Sequence, residues 1–246
     1  MNTTAPLRLS MWSGPRNLST AMMYAFAQRS DCEVWDEPFY AAYLAKTGLS
    51  HPMGEDIMAN GDTDAEVVIE KCLSVGPQGR PVFYQKHMTQ HMIPEFRRDW
   101  ILQQTNVFLI RHPARVLASY AVKRENPTLR DIGFEQQMEL INLVTSETGR
   151  SPLIVDSADI RQDPASMLQR VCAAVDIPFE EKMLSWPQGG NTQDGVWAPH
   201  WYGAVWNSSG FAGPESELPP VAPELADVYQ NAKRLYDQMA EQKTAL

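Results

Sequence analysis

Short apolar runs alternate along the chain with stretches in which apolar residues recur every three or four positions. The runs predict strands at residues 7–12, 32–35, 81–86, 105–110 and 153–155. The recurring positions predict helices around residues 18–26, 38–44, 65–73, 116–121, 134–146, 165–175 and 225–239, with a helix or irregular turn at 91–100. Strands that alternate with helices pair in parallel, with helices on both faces. We therefore predict an α/β fold, a three-layer sandwich with a central, mainly parallel sheet flanked by helices.

Two segments lack this periodicity. Residues 48–64 are rich in Gly, Asp and Asn and predict a loop. Residues 185–223 are rich in Trp, Gly, Pro and Asn and predict a long loop or lid, followed by a C-terminal helix within residues 225–242. A chain of 246 residues is long enough for one large core and short for two, so we predict a single domain spanning residues 1–246.

Charge and cysteine content narrow the possible partners. Thirty acidic and 21 basic residues give a net charge of −9, which disfavours nucleic acid and anionic membranes but leaves room for a small anionic ligand. Cys32, Cys72 and Cys172 are widely spaced, as is typical of reduced thiols. No apolar stretch approaches the roughly 20 residues that a membrane span needs. We expect a cytoplasmic protein with neither a nucleic-acid nor a membrane partner.

The segment 13–20 follows the first predicted strand, where an open α/β sheet binds ligands. Gly14 permits a tight turn, Arg16 brings a fixed positive charge, and Ser19 and Thr20 add hydroxyl donors, which together suit phosphate or sulfate. The P-loop motif of nucleotide triphosphatases is absent, because Ser19 and Thr20 stand where Gly and Lys are required. An ordinary turn with Ser19 as a helix cap explains the same residues about as well.

A second segment, 107–120, combines an apolar strand with Arg111, Pro113 and a serine, Ser119, eight positions after the arginine. The arginine offers a planar fork for a phosphate at the end of the strand, and the serine adds a hydroxyl about two helical turns later. This pattern strongly resembles the 3′-phosphate-binding strand and helix of sulfotransferases that depend on 3′-phosphoadenosine-5′-phosphosulfate (PAPS). The resemblance spans roughly residues 7–157 and implies that Arg111 and Ser119 bind the 3′-phosphate of this nucleotide.

The first segment is similar to the 5′-phosphosulfate loop of the same family, with Arg16 at the basic position. The resemblance implies a donor site made of Gly14, Pro15, Arg16, Asn17, Leu18, Ser19 and Thr20. Leu18 departs from the family pattern, which usually has Gly there, and should restrict how closely the backbone approaches the phosphate. The resemblance also implies a P-loop-related, sulfotransferase-like fold, with PAPS as sulfuryl donor and 3′-phosphoadenosine-5′-phosphate (PAP) as product.

Sulfuryl transfer needs positive charge near the transferred group and a base for the acceptor. Arg16 and Lys86 suit the first task, and similar enzymes place a lysine from this strand near the donor. Glu37, His87 and His91 stay open as the base: imidazoles titrate near neutral pH, and some similar bacterial enzymes carry a base in an equivalent Glu-Pro segment. Glu37 equally suits a helix cap. No clustered carboxylates suggest a metal.

The late loop contributes candidates for acceptor binding, namely Trp197, His200 and Trp201, although aromatic clusters more often anchor a loop or a core. The resulting hypothesis is a sulfotransferase that moves a sulfuryl group from PAPS to a hydroxyl or amine of a small-molecule acceptor by metal-independent in-line transfer. A nucleotide kinase or other phosphotransferase on a P-loop-related scaffold is one alternative. A noncatalytic nucleotide-binding protein is another.

Overall fold

Five parallel strands form one sheet at the centre of the computed structural model, which describes residues 6–121 and 126–243. The strands are β1 (Leu7–Ser13), β2 (Cys32–Asp36), β3 (Val82–Met88), β4 (Thr105–Ile110) and β5 (Leu153–Asp156). Their order is β2-β3-β1-β4-β5, and every neighbouring pair is parallel. The predicted parallel α/β sandwich is therefore confirmed. The extreme ends of the predicted domain, 1–5 and 244–246, lie outside the described residues.

Helices flank this sheet, and α-helical and 3-10 segments account for most of the connections. The α-helices are α1 (Ser19–Ala27), α2 (Tyr40–Thr47), α3 (Gly54–Asn60), α4 (Ala65–Cys72), α5 (Pro113–Tyr120), α6 (Phe134–Thr148), α7 (Ser157–Gln162), α8 (Pro164–Ala174), α9 (Ala198–Trp201), α10 (Gly203–Trp206) and α11 (Ala226–Glu241). The 3-10 turns are Thr89–His91, Asp99–Gln103, Glu181–Leu184 and Pro223–Leu225.

Four of these helices were absent from the sequence-based assignment. The prediction of a loop at 48–64 was wrong where α3 forms, because Ile57 is buried and anchors a seven-residue helix that composition alone does not favour. Within the predicted loop at 185–223, α9 and α10 are single helical turns that end at Trp201 and Trp206. A further helix, α7, follows β5 directly, and the Asp156 carboxylate caps it by accepting a hydrogen bond from the Ala158 N–H at 2.8 Å.

The core surrounds β1 and β3, and all three cysteines are buried and unpaired. In the part of the chain that the structure describes, no helix has the length and apolar character needed to cross a membrane. Within the same ranges, no group of three or more His, Cys, Asp or Glu side chains is placed to hold a metal ion.

Successive side chains of β3 point to opposite faces of the sheet, which separates His87 from Lys86. The His87 ring lies in an aromatic part of the core, stacked on Trp12 with ring centroids 4.3 Å apart and close to Phe39 and Trp100. Its Nε2 atom lies 3.1 Å from Gln85 Oε1. Burial, reinforced by the charge of Lys86, lowers the pKa of His87 to about 3.

We predict that His87 makes folding sensitive to acid. The folded state holds its imidazole neutral, whereas the unfolded chain takes up a proton near pH ~6.5, so its contribution is complete above that pH and is lost as pH falls towards 3. Urea titrations should show wild type losing up to about 1.4 kcal/mol more per pH unit than His87→Phe across this window. Parallel stability curves for the two proteins would contradict this assignment.

Candidate functional site

A cavity of about 340 Å³ opens at the edge of the sheet where the parallel strands end. The predicted residues that line it are Pro15, Arg16, Asn17, Leu18, Ser19, Thr20, Glu37, Lys86, His91, Arg111, Ser119 and Trp201. Gly14, His87, Trp197 and His200 lie outside the set of described residues that line this cavity. Residues separated by up to 186 positions, from Pro15 to Trp201, therefore meet in one place, as the strand topology requires.

The loop after β1 presents the start of α1 to the cavity. Leu18 precedes this helix, and no side chain caps it, so Ser19 does not act as the cap that a simple turn would use. The first N–H groups of a helix have no partners within it and carry its positive dipole end. Because Ser19, Thr20 and Ala21 line the cavity, this end of α1 faces the space where an anion would bind.

Gly14 allows this loop to pack closely against the segment around Ile132. A Cβ atom at this position would lie 2.4 Å from the carbonyl oxygen of Ile132, so only glycine allows the two backbones to approach this closely. The Gly14 N–H donates to the side-chain carbonyl of Gln137 at 3.2 Å. The residue therefore shapes the loop without contacting the cavity.

Two side chains fix the loop to the neighbouring strands. Asn17 donates through Nδ2 to the carbonyl of Leu109 at 3.2 Å. The Ser157 hydroxyl lies 2.9 Å from the carbonyl of Asn17 and 2.9 Å from that of Ile110. Because all of these groups are buried, the contacts hold the ends of β1, β4 and β5 in a fixed relation.

The two predicted phosphate subsites contact each other directly. Arg16 donates through Nε to the Ser119 hydroxyl at 2.8 Å, and Arg111 donates to the Arg16 carbonyl at 2.8 Å. Burial, together with the charge of Arg111, lowers the pKa of Arg16. Arg111 also forms an ion pair with Glu215, which belongs to the late segment. The residues of the two predicted phosphate subsites thus form one cluster with two positive charges, those of Arg16 and Arg111.

A buried charge network borders the opposite side of the cavity. The Lys86 side chain is 1% exposed, and its Nζ lies 2.9 Å from an Asp36 oxygen, 2.5 Å from Glu37 Oε1 and 2.8 Å from the Tyr202 hydroxyl. The Tyr202 hydroxyl also lies 2.8 Å from the second Asp36 oxygen and accepts a hydrogen bond from Trp197 Nε1 at 3.1 Å. Trp197 therefore anchors this network, and the network lines the cavity through Glu37, Lys86 and Tyr202.

Burial is the main influence on protonation in this network. It raises the pKa of Glu37, the positive charge of Lys86 opposes that shift, and the nearby Asp36 adds to it. Burial disfavours the charged form of Lys86, yet the two carboxylates together raise its pKa above the ordinary value. The lysine therefore stays positive, while Glu37 is a stronger base than an exposed glutamate.

His91 lies against the same cavity between two tyrosine rings. Its ring stacks on Tyr40 and Tyr43, with centroids 4.5 and 4.8 Å away. Burial lowers the pKa of His91 well below its ordinary value, so the imidazole is neutral at pH 7. The His200 ring contacts the Trp201 ring edge-on, with centroids 4.6 Å apart. Trp201 lines the cavity, whereas His200 is not among its lining residues.

The sulfotransferase domain model matches residues 7–243. The chain belongs to the sulfotransferase-domain family. Two proteins of Arabidopsis thaliana named branched-chain-amino-acid aminotransferase-like protein 2 and 1 are 34% identical over 206 residues and 33% identical over 212 residues. These matches cover 83% and 85% of this chain but 36% and 37% of those proteins, so the chain spans just over a third of their length.

Two solved sulfotransferase domains share the fold of this family member. The domain from the curacin biosynthetic pathway superimposes with a TM-score of 0.58 at 16% identity, covering 96% of this chain and 98% of that chain. The domain from the Synechococcus PCC 7002 olefin synthase gives 0.55 at 18% identity, covering 98% and 97%. At these identities the similarity concerns the fold.

Sequence reasoning about this sulfotransferase-family chain missed the parts that Asp36, Arg161, Tyr202 and Glu215 play at this site. Tyr202 lies 166 positions from Asp36, and no local motif marks such a pair. Arg115 follows Arg111 by four positions, but Arg111 lies before α5, so no helical spacing relates the two.

We predict that the Tyr202 hydroxyl stabilises the folded protein. Tyr202→Phe removes a group that contacts Asp36 and Lys86 and should lower the free energy of unfolding by about 1–3 kcal/mol. Tyr84→Phe is the matched control, because its buried hydroxyl has no hydrogen-bond partner among the described residues and its loss should be neutral or stabilising. Equal destabilisation of the two variants in urea titrations would refute the role of Tyr202.

Proposed function

We propose that this chain transfers a sulfuryl group from PAPS to a hydroxyl or amine of a small-molecule acceptor. The observation that carries the proposal is the pair of contacts from Arg16 to Ser119 and from Arg111 to the Arg16 carbonyl. These contacts join the two predicted phosphate subsites in a cavity that also holds Glu37 and Lys86. Membership of the sulfotransferase-domain family supports the same reaction class.

In this proposal, adjoining groups bind the two anionic ends of PAPS. Arg111 and Ser119 would bind the 3′-phosphate, for which a guanidinium fork and a hydroxyl are suitable donors. Arg16, the hydroxyls of Ser19 and Thr20 and the first N–H groups of α1 would bind the 5′-phosphosulfate. The absence of a Walker lysine from this loop favours such a donor over ATP·Mg²⁺.

Glu37 is the base that we propose for the acceptor. His87 lies in the core with a pKa of about 3, and the pKa of His91 is well below neutral, so both imidazoles are weak bases. Glu37 lines the cavity, and burial raises its pKa. As the acceptor oxygen or nitrogen attacks sulfur, its proton passes to the Glu37 carboxylate, and the bond from sulfur to the bridging oxygen breaks to release PAP.

Lys86 holds Glu37 in place and supplies positive charge beside it. Its contact at 2.5 Å orients the Glu37 carboxylate, and the Asp36 carboxylate balances the remaining charge of the ammonium. Tyr40, His91 and Trp201 provide a largely aromatic wall next to this group. A small acceptor with an aromatic or apolar body and one hydroxyl or amine suits such a wall.

We predict that PAP binding depends on the 3′-phosphate residues. Arg111→Ala should weaken PAP binding about 10- to 150-fold in calorimetry, because it removes a charge-assisted contact, and Ser119→Ala should weaken it less. ATP·Mg²⁺ is the control ligand and should bind the wild type more weakly than PAP does. Preference for ATP·Mg²⁺, or PAP binding that Arg111→Ala leaves intact, would return the kinase alternative to first place.

We also predict that Glu37 sets the acid side of the pH–rate profile. The reactive form is the carboxylate, so kcat/KM should fall as pH drops through a pKa raised above the ordinary value of about 4.3. Glu37→Gln should lower kcat about 10²- to 10⁴-fold and remove this acid limb, while PAP affinity is retained. The measurement uses an acceptor found by screening small alcohols and amines. Loss of the limb in His91→Gln instead would assign the base to His91.

A further inference from the structure

Three arginines from three different elements converge on the carboxylate of Glu215. Arg111 Nε lies 3.0 Å from Glu215 Oε1, Arg115 Nε lies 2.7 Å from Oε2, and Arg161 contacts Oε1 at 3.2 Å. Arg111 follows β4, Arg115 lies on α5 and Arg161 lies on α7. The Glu215 side chain is only 6% exposed. We call Arg111, Arg115 and Arg161 the three-arginine site.

The single carboxylate of Glu215 balances only part of the positive charge of the three-arginine site. Among the described residues, the three guanidinium groups share the negative charge of Glu215, and Arg16 is near enough for the charge of Arg111 to lower its pKa. A phosphate monoester carries close to two negative charges at pH 7 and offers three terminal oxygens. It would therefore neutralise the three-arginine site better than one carboxylate does.

The same arginines also hold the backbone on either side of Glu215. Arg161 donates to the Gly213 carbonyl at 2.8 Å, and Arg115 donates to the Ser216 carbonyl. Within residues 212–218, every residue other than Glu215 is exposed. The attachment of this segment to the body of the protein therefore depends on the three-arginine site, and a competing anion would release it.

We infer that Arg115 and Arg161 join Arg111 in binding the 3′-phosphate of the donor, and that Glu215 is an internal anion which this phosphate displaces. The inference rests on the proposed function and adds to it the displacement of Glu215 when the donor binds. In the absence of donor, residues 212–218 cover the three-arginine site, and they detach when the 3′-phosphate enters it. Apparent donor affinity is then reduced by the fraction of molecules in which Glu215 occupies the site.

The test of the arginines compares PAP with adenosine 5′-monophosphate, which lacks the 3′-phosphate. Arg115→Ala and Arg161→Ala, each made in the Glu215→Gln background to remove the internal competitor, should weaken PAP binding about 10- to 150-fold. Binding of adenosine 5′-monophosphate should change less than about twofold. Arg150→Ala, which alters an exposed arginine beyond α6, is the matched control and should change neither affinity.

The test of Glu215 uses Glu215→Gln alone, with Glu217→Gln as the matched control in the same exposed segment. Loss of the negative charge should tighten PAP binding about tenfold, and the control should leave it unchanged. Amide hydrogen exchange within residues 212–218 should be faster in Glu215→Gln than in wild type. Addition of PAP to wild type should accelerate exchange in the same segment.

The outcomes separate the two proposals. One outcome overturns this inference and leaves the proposed function standing: wild type binds PAP, but the arginine substitutions change the affinities for PAP and for adenosine 5′-monophosphate equally. Weaker PAP binding by Glu215→Gln also overturns it, because Glu215 would then support the bound state. If neither wild type nor Glu215→Gln binds PAP, the proposed function itself is contradicted. Hydrogen exchange within residues 212–218 that is the same in Glu215→Gln as in wild type would independently contradict the role of Glu215 as an internal anion.

Discussion

Burial of the Lys86 ammonium is the interaction on which the site and its covering segment depend. A charged group removed from water is stable only where opposite charge and hydrogen bonds replace its hydration. Asp36 is the direct register partner of Lys86 in the sheet, so the pairing of β2 with β3 delivers the first carboxylate. Glu37 delivers the second, and Tyr202 completes the set from between α9 and α10. The late segment is thereby tied to the edge of the sheet by polar contacts as well as by its tryptophans.

Charge of opposite sign consequently borders two sides of one cavity. The pair of carboxylates around Lys86 carries one negative charge in excess, whereas Arg16, Arg111 and the start of α1 provide an excess of positive charge. Such a division suits the proposed reaction, in which an anionic donor and a proton acceptor must lie close together without neutralising each other. The buried contacts of Asn17 and Ser157 keep the positive side rigid, which is the preorganisation that transfer reactions require.

The sheet, and the ends of β1 and β4, were predictable because their signals are local: apolar runs, a proline at a helix start and an arginine eight residues before a serine. The helix α3 was not, since it forms around a single buried residue, Ile57, which the polar, glycine-containing composition of this segment does not signal. Adjacency in sequence also suggested that Lys86 and His87 share a site, whereas alternation along a strand places them on opposite faces. The partnership of Tyr202 with Asp36 spans 166 residues and has no trace in a single sequence.

Leu18 stands where the sequence resemblance predicts glycine, and it still takes a backbone conformation that glycine favours. Both Arg16 and Leu18 adopt φ of 65°, the left-handed conformation that glycine takes readily and that costs other residues on the order of 1–3 kcal/mol. Leu18 offsets part of that strain by packing its side chain against the core, which glycine cannot do. Its N-terminal neighbour Asn17 is held on both sides by buried hydrogen bonds. The backbone conformation that turns the start of α1 towards the cavity is therefore maintained by packing and by buried hydrogen bonds, without a glycine at this position.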